Sequence, residues 1–247
     1  MTVKEIIEQV RWCVDEETQN FSEQSEMDDC DDLYMDNIIK AKINDALMFV
    51  CLYAPAGLLD GSDEDDDTEI LRDYAISATS GSVTVDDVTY YRTAAAMGNT
   101  VIPDDYQDNC GVLVMPGDFL KVARVRGKGW HRGIITPVQE DSEQYLTQFD
   151  EIAQSTEELP HAVEVNSNPR RIEIYPAEDY VELSLVCSPK QVDASSSEDT
   201  AVPLPPKVRT AFIYYLAFLV MEAYENTAKA KEMFTVAKQN LGLANNG

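Results

Sequence analysis

Positive charge is scarce in this chain. Of its 247 residues only 19 are Lys or Arg, against 45 Asp or Glu, which leaves a formal net charge of -26 and a sequence pI near 4.2. A general nucleic-acid binder needs cationic surface to displace counterions from phosphate, and a membrane-surface protein needs it to meet anionic head groups; the balance argues against both. Long apolar runs are also missing. The most apolar uncharged stretch, residues 210–221, is 12 residues long, where a spanning helix needs about twenty. Histidine is limited to His131 and His161. The cysteines, at positions 13, 30, 51, 110 and 187, form no CxxC pair. A Cys/His zinc site is therefore not expected, and the thiols read as reduced, mostly small core residues. The opening MTVKEIIEQV is acidic and amphipathic, without the apolar stretch and small-residue cleavage site of a secretory signal, so a cytoplasmic chain is expected.

Catalytic signatures are absent as well. There is no GxSxG, no Walker loop, no GxGxxG after a strand and no HExxH. Gly127-Lys128-Gly129 has nothing else of a phosphate loop. Two acidic runs, residues 22–32 and 60–67 (DGSDEDDD), invite a Ca²⁺ or Mg²⁺ reading, but they lack the alternate acids, central glycine and closing Glu of an EF-hand loop. They read as solvated charge runs. No enzyme, metal or cofactor is expected.

What the chain does have is enough apolar content for a core, 44% of residues, arranged with two different periods. Residues 3–14 and 33–54 carry apolar side chains at helical spacing, the second stretch stopping at Pro55. Residues 68–77 are also expected to be helical. From residue 80 the period shortens: Val83, Val85, Val88 and Tyr90 approximate alternation with a slip at Asp86-Asp87, and residues 112–115 form a strand ending at Pro116. Residues 118–125 fit either a strand or helical turns. Residues 142–153, with Asp141 as cap, read as a helix inserted among the strands. Ile172 and Ile174, then Val181, Leu183, Leu185 and Cys187, read as two strands of a hairpin joined through Pro176-Ala177-Glu178-Asp179. After a Ser-rich loop and Pro203, Pro205 and Pro206, residues 207–241 read as helix, with a possible break near Asn226-Thr227. The first half is apolar on all sides, so it is enclosed either by this chain's own core or by a neighbouring subunit; the second half has one stripe. The expected fold class is α+β: N- and C-terminal helices forming a bundle with an inserted β-rich portion. The expected division is 1–79 helical, 80–190 β-rich, and 201–247 helical and packed with the N-terminal part.

One stretch runs against the acidic field. Lys121, Arg124, Arg126, Lys128 and Arg132 place five of the 19 cations within 12 residues, with Trp130 and His131 among them. Such a patch fits a contact with the acidic surface of another copy, a contact with nucleic-acid phosphate, or a solvated β-ribbon. Arg and Trp are its interface-prone members.

The order of local features resembles the head-to-tail connector proteins of tailed bacteriophages, the adaptor or ring proteins under the portal of podovirus-like or crAss-like phages. The resemblance lies in KINDAL (residues 42–47), VLVMPGDFLKVARV with GKGW behind it (112–130), and RIEIYPAEDYVELSLVCSP (171–189) followed by the proline-introduced helix RTAFIYYLAFLVMEAYENTAKAKEMFTVAKQNL. It covers about three quarters of the chain as an order of features, and the acidic runs lie outside it. It implies a non-enzymatic virion protein at the head-to-tail junction, assembled from the host cytoplasm into a ring, commonly a dodecamer, that joins the portal to the tail proteins. Genome DNA would pass through its channel unbound, and no membrane is involved. Candidate subunit contacts are Lys121, Arg124, Arg126, Lys128, Trp130 and Arg132; candidate portal or ring docking residues are Lys229, Lys231, Phe234, Lys238 and Leu241. An acidic DNA-mimic or regulatory binding protein is the alternative reading.

Overall fold

A computed structural model describes residues 1–15, 29–60, 70–98, 101–150, 152–193 and 195–243. At positions 15 and 29–33 only the backbone is described. The fold is α+β, with helices at both ends and a β-rich middle. It divides into a helical unit, Met1–Ile70 with Ser188–Gly247, and a β unit, Leu71–Cys187. The β-rich part thus begins at Leu71 rather than near residue 80, because the segment expected to continue the first helical part as a helix is the first strand.

The helical unit is built around a helix that has no polar side. α1 (Val3–Asp15) opens with a capping box, in which the Thr2 amide donates to Glu5 Oε2 at 2.9 Å and the Glu5 amide donates to Thr2 Oγ1 at 3.3 Å. It buries Val3, Ile6, Ile7, Val10 and Val14. α2 (Asp29–Tyr53) buries Ile39, Ile43, Ala46, Leu47 and Val50 and ends before Pro55, with a short α3 (Ala56–Leu59) behind it. The last four residues of the first acidic run, positions 29–32, belong to α2 instead of a loop. Residues 22–28 and 61–67 of the two acidic runs lie outside the described residues. The C-terminal part contributes α6 (Arg209–Ala223) and α7 (Thr227–Asn240). α6 packs on α1, α2 and α7, which buries Phe212, Ile213, Leu216, Ala217, Val220 and Met221 and leaves Tyr214, Tyr215, Phe218 and Leu219 half-buried. The break between the two helices falls at Glu225, whose φ of 59° is left-handed, and at Asn226, whose side chain caps α7 by accepting from the Lys229 amide. Asn44 on α2 pins the loop after the β unit in the manner of a strand neighbour: its amide donates to the Val192 carbonyl at 2.8 Å and accepts from the Val192 amide at 2.9 Å.

The β unit holds β1 (Leu71–Ser77), β2 (Ser82–Val85), β3 (Val88–Tyr91), α4 (Ala94–Met97), β4 (Gly111–Val114), β5 (Phe119–Gly127), β6 (Val138–Gln139), α5 (Glu143–Leu146), β7 (His161–Val165), β8 (Arg171–Tyr175) and β9 (Tyr180–Cys187). They form two sheets, ordered β1-β9-β5 and β2-β3-β4-β8-β7-β6. The apolar faces of both supply one core, including Tyr74, Ile76, Tyr90, Leu113, Val125, Trp130, Ile172, Ile174, Leu183 and Leu185. A smaller core joins Val112, Val163, Val165 and Tyr175, alternate residues on the other face of the larger sheet, with Ala94 of α4, Ile102 and Cys110.

Four expectations change here. Residues 71–77 pair along their length with β9 and alternate in burial, with Tyr74 and Ile76 inward and Asp73, Ala75 and Ser77 outward, so they are a strand. The slip at Asp86-Asp87 is the turn of the β2–β3 hairpin, where Asp86 adopts a φ of 50°. The inserted helix shrinks to α5 and a following 3-10 turn (Thr147–Phe149), capped by Ser142 rather than Asp141. The expected hairpin of β8 and β9 does not form: β8 pairs with β4 and β7, β9 with β1 and β5, and the Pro176–Asp179 link crosses from one sheet to the other. Both strands turn their apolar faces to the shared core, so the alternation was sound and only the partner differed.

Candidate functional site

The basic ribbon runs along β5, an edge strand of the three-stranded sheet. Phe119, Val122, Val125 and Gly127 face Cys187, Leu185, Leu183 and Val181, while Lys121, Arg124 and Arg126 lie opposite Val186, Ser184 and Glu182. Lys121 and Arg124 are an odd number of residues apart and would point to opposite faces of a regular strand. A register shift between Val122 and Arg124 absorbs one residue and turns all three cations outward. Beyond Gly127 the chain makes a tight turn, with the Trp130 amide donating to the Gly127 carbonyl at 3.2 Å, and returns alongside β5 through reciprocal bonds of 2.8 Å between Val125 and Ile134. The Arg124 side chain then lies over Gly133, where a Cβ would meet its Nε at 3.1 Å. Lys128 and Arg132 are exposed.

Among the described residues, Arg124, Arg126, Lys128 and Arg132 make no ion pair. Other arginines of the same unit do: Arg72 with Asp87 and Asp118, Arg92 with Asp179, Arg170 with Glu164, and Arg171 with Glu173. In a chain with a large excess of acids, these four cations stand without an ion-pair partner among the described residues, although Glu182 lies opposite Arg126 on β9.

Trp130 does not belong to that surface. It is 1% exposed, its ring sits in the main core, and its Nε1 donates to the Pro176 carbonyl at 3.2 Å. Gly127 leaves room for it, since a Cβ there would come within 2.8 Å of the indole nitrogen. The expectation that Trp130 is an interface residue is therefore corrected: this chain's own core has claimed the ring.

The second expected surface, on α7, also divides. Lys231 is exposed, and Lys229 and Lys238 are half-buried, Lys238 standing 4.8 Å from the centre of the Phe234 ring. Phe234 joins Phe49, Tyr215 and Phe218 in an aromatic cluster in which Phe49 and Tyr215 stack at 3.6 Å between ring centres. Leu241 is fully buried and is corrected to a core residue that closes the end of α7.

Two polar clusters of the β unit went unread in the sequence. In the first, Arg171 and Glu173 project from the same face of β8 and are both buried. The Arg171 Nε donates to Glu173 Oε1 at 2.9 Å, its other end reaches Ser167 Oγ at 2.9 Å, and the Tyr175 hydroxyl donates to Glu173 Oε2 at 3.0 Å. Burial, with the Glu173 charge behind it, holds the Cys110 thiol well above its ordinary pKa, and burial with the same neighbours raises the Tyr175 hydroxyl. These are protonated, unreactive groups. The alternation R-I-E-I-Y was the available signal, since it places opposite charges two residues apart on one face. In the second cluster, Ser155 Oγ donates to Gln148 Oε1 and meets His161 Nδ1 at 2.8 Å. Here the serine orients the histidine, and its hydroxyl proton is committed to the amide. His131 is exposed. Among the described residues no group of three His, Cys, Asp or Glu side chains is placed to hold a metal ion, and no helix is long and apolar enough to cross a membrane.

No protein-family model matches the chain, and no curated protein matches it either.

Proposed function

We propose that this chain is a structural virion protein of a tailed bacteriophage, forming a homo-oligomeric ring at the head-to-tail junction that joins the portal to the tail and leaves a channel for the genome. The observation that carries the reading is that Arg124 and Arg126 on β5, with Lys128 and Arg132 on the turn after it, make no ion pair among the described residues of a chain of net charge -26. The acidic surface of an adjacent copy is its natural complement, and opposite fields steer such association. The same excess of acid elsewhere repels phosphate, which suits a conduit that DNA crosses without sticking. The resemblance of the three sequence stretches to connector proteins supports the portal as the second partner, with Lys229, Lys231, Phe234 and Lys238 of α7 as the docking residues.

Size exclusion with light scattering, followed by electron microscopy of the same fraction, tests the reading. A closed ring is expected, dodecameric if the resemblance holds; a chain that stays monomeric at every concentration overturns it. Exchanging Arg124, Arg126 and Arg132 for Glu is expected to abolish assembly while leaving the fold within about 0.5 kcal/mol of the parent, because exposed unpaired charges contribute little to stability. Unchanged assembly on sedimentation would remove the ribbon from the interface.

A further inference from the structure

The chain has only two tryptophans, and they have opposite fates. Trp130 is buried, whereas Trp12 is 66% exposed on α1. Helical spacing puts Trp12 on the stripe of Glu5 and Glu8, opposite the buried Val3, Ile6, Ile7, Val10 and Val14. An indole left in water exposes one of the largest apolar surfaces a side chain offers, and tryptophan is among the residues most enriched at the energetic centres of protein contacts.

A cleft lies beside the basic ribbon. The open cleft, of about 290 Å³, is lined by Arg132, Ile134, Ile135, Val138, Pro160 and His161, among others. Its lining is mixed and more polar than apolar, with Thr136, Gln144 and His161 beside the aliphatic side chains, and Ile135 is 69% exposed. Its rim carries the unpaired guanidinium of Arg132, with Arg124 lying over the adjacent Gly133. His161 is held in place through its Nδ1 by Ser155. The volume falls at the small end of ligand clefts, which run from about 300 Å³ upward, and suits one large side chain. The exposed Ile135 gives an indole one apolar contact and the Arg132 guanidinium one cation to stack on, while the cationic rim complements the carboxylates beside Trp12.

We propose that Trp12 of one copy seats in this cleft of the next copy, with Glu5 and Glu8 facing Arg132 and Arg124. The inference rests on the ring reading and adds to it the direction of assembly. The two patches are different surfaces of one chain, so the contact is heterologous, the type that repeats head to tail and closes a ring when the rotation per step allows.

The test uses the full chain and two surface variants, Trp12→Ala and Ile135→Glu. Acrylamide quenching reports Trp12 specifically, because Trp130 is shielded. In the parent protein, quenching is expected to fall as the oligomer forms. Each variant alone is expected to weaken association about tenfold or more. Mixed in equal amounts they are expected to form pairs and go no further, because Trp12→Ala keeps an intact cleft and Ile135→Glu keeps an intact indole. Retained Trp130 emission confirms the fold of both. If rings form while Trp12 stays fully quenchable, or the mixed variants remain monomeric, the Trp12 contact is overturned and the ring stands. A parent chain that never self-associates overturns both.

Discussion

The two units of this protein treat charge in opposite ways. Among the described residues, every residue classed as buried in the helical unit is apolar, the Nε of the half-buried Arg209 being the one side-chain nitrogen there enclosed without a hydrogen bond, whereas the β unit buries Arg171, Glu173, Gln148 and Ser155 inside and leaves four cations without an ion pair outside. The helical unit is specified by shape: α6 is apolar all round and selects its place by packing on α1, α2 and α7. The β unit is specified by pairing, and its interior tolerates the loss of one partner poorly. A buried ion pair adds little over a well-packed apolar pair, yet removal of one member strands the other without solvent.

The sharpest way to break the contrast is Glu173→Leu. It leaves the Arg171 guanidinium buried without its carboxylate and is expected to cost about 3–5 kcal/mol, read by urea unfolding through Trp130 emission. Combining it with Arg171→Met is expected to restore most of the loss, and a double variant as unstable as the single would show that the pair is not the source. Leu216→Ala, in the middle of α6, is expected to cost about 2–5 kcal/mol by cavity formation, with the loss followed as helical signal in circular dichroism. No second substitution in this unit can restore it by removing a charge, which is the point of the comparison. Gly127→Ala comes next, at about 1–3 kcal/mol, because its Cβ would run into the Glu178 Cγ and into the Trp130 indole. Heat denaturation measures it, and a neutral result would mean that the turn yields.

The smallest effect is one of pH. Partial burial, opposed by a hydrogen bond from the Gly129 amide and reinforced by the Glu157 charge, raises the Glu178 carboxyl above the ordinary glutamate value of 4.5. A raised carboxyl favours the folded state while protonated, so its contribution is full below 4.5 and is lost as pH rises through the raised value. Glu178→Gln does not titrate. The variant's melting temperature relative to the parent is expected to increase between pH 4 and pH 7, and a difference that stays constant would remove Glu178 from the pH dependence.

The helices were legible where one face alone is buried. α1, α2 and α7 follow their stripes to within a few residues, and the break at Asn226 follows from its capping side chain. Residues 71–77 were not, because Ile70 and Tyr74 stand at helical spacing while Tyr74 and Ile76 also alternate. The decision comes from pairing with β9, more than a hundred residues away in sequence. Alternation likewise says which side of β8 and β9 is buried but not which strand lies beside each, and the nearest neighbour in sequence was the wrong choice. For the candidate surface, the cluster of cations was plain in the composition. What composition does not reveal is that a bulge aligns Lys121 with Arg124, or that Trp130 and Leu241 have been taken inside by their own chain.

The pairing of β1 with β9 has one more consequence. Leu71 and Val186 are register partners, so the chain enters and leaves the β unit through neighbouring strand ends, about 5 Å apart as antiparallel partners are. In engineering terms the β unit is an insert with closely spaced ends. Residues 72–185 could be exchanged for a short turn, or for another insert with closely spaced ends, without rerouting the helices that flank it.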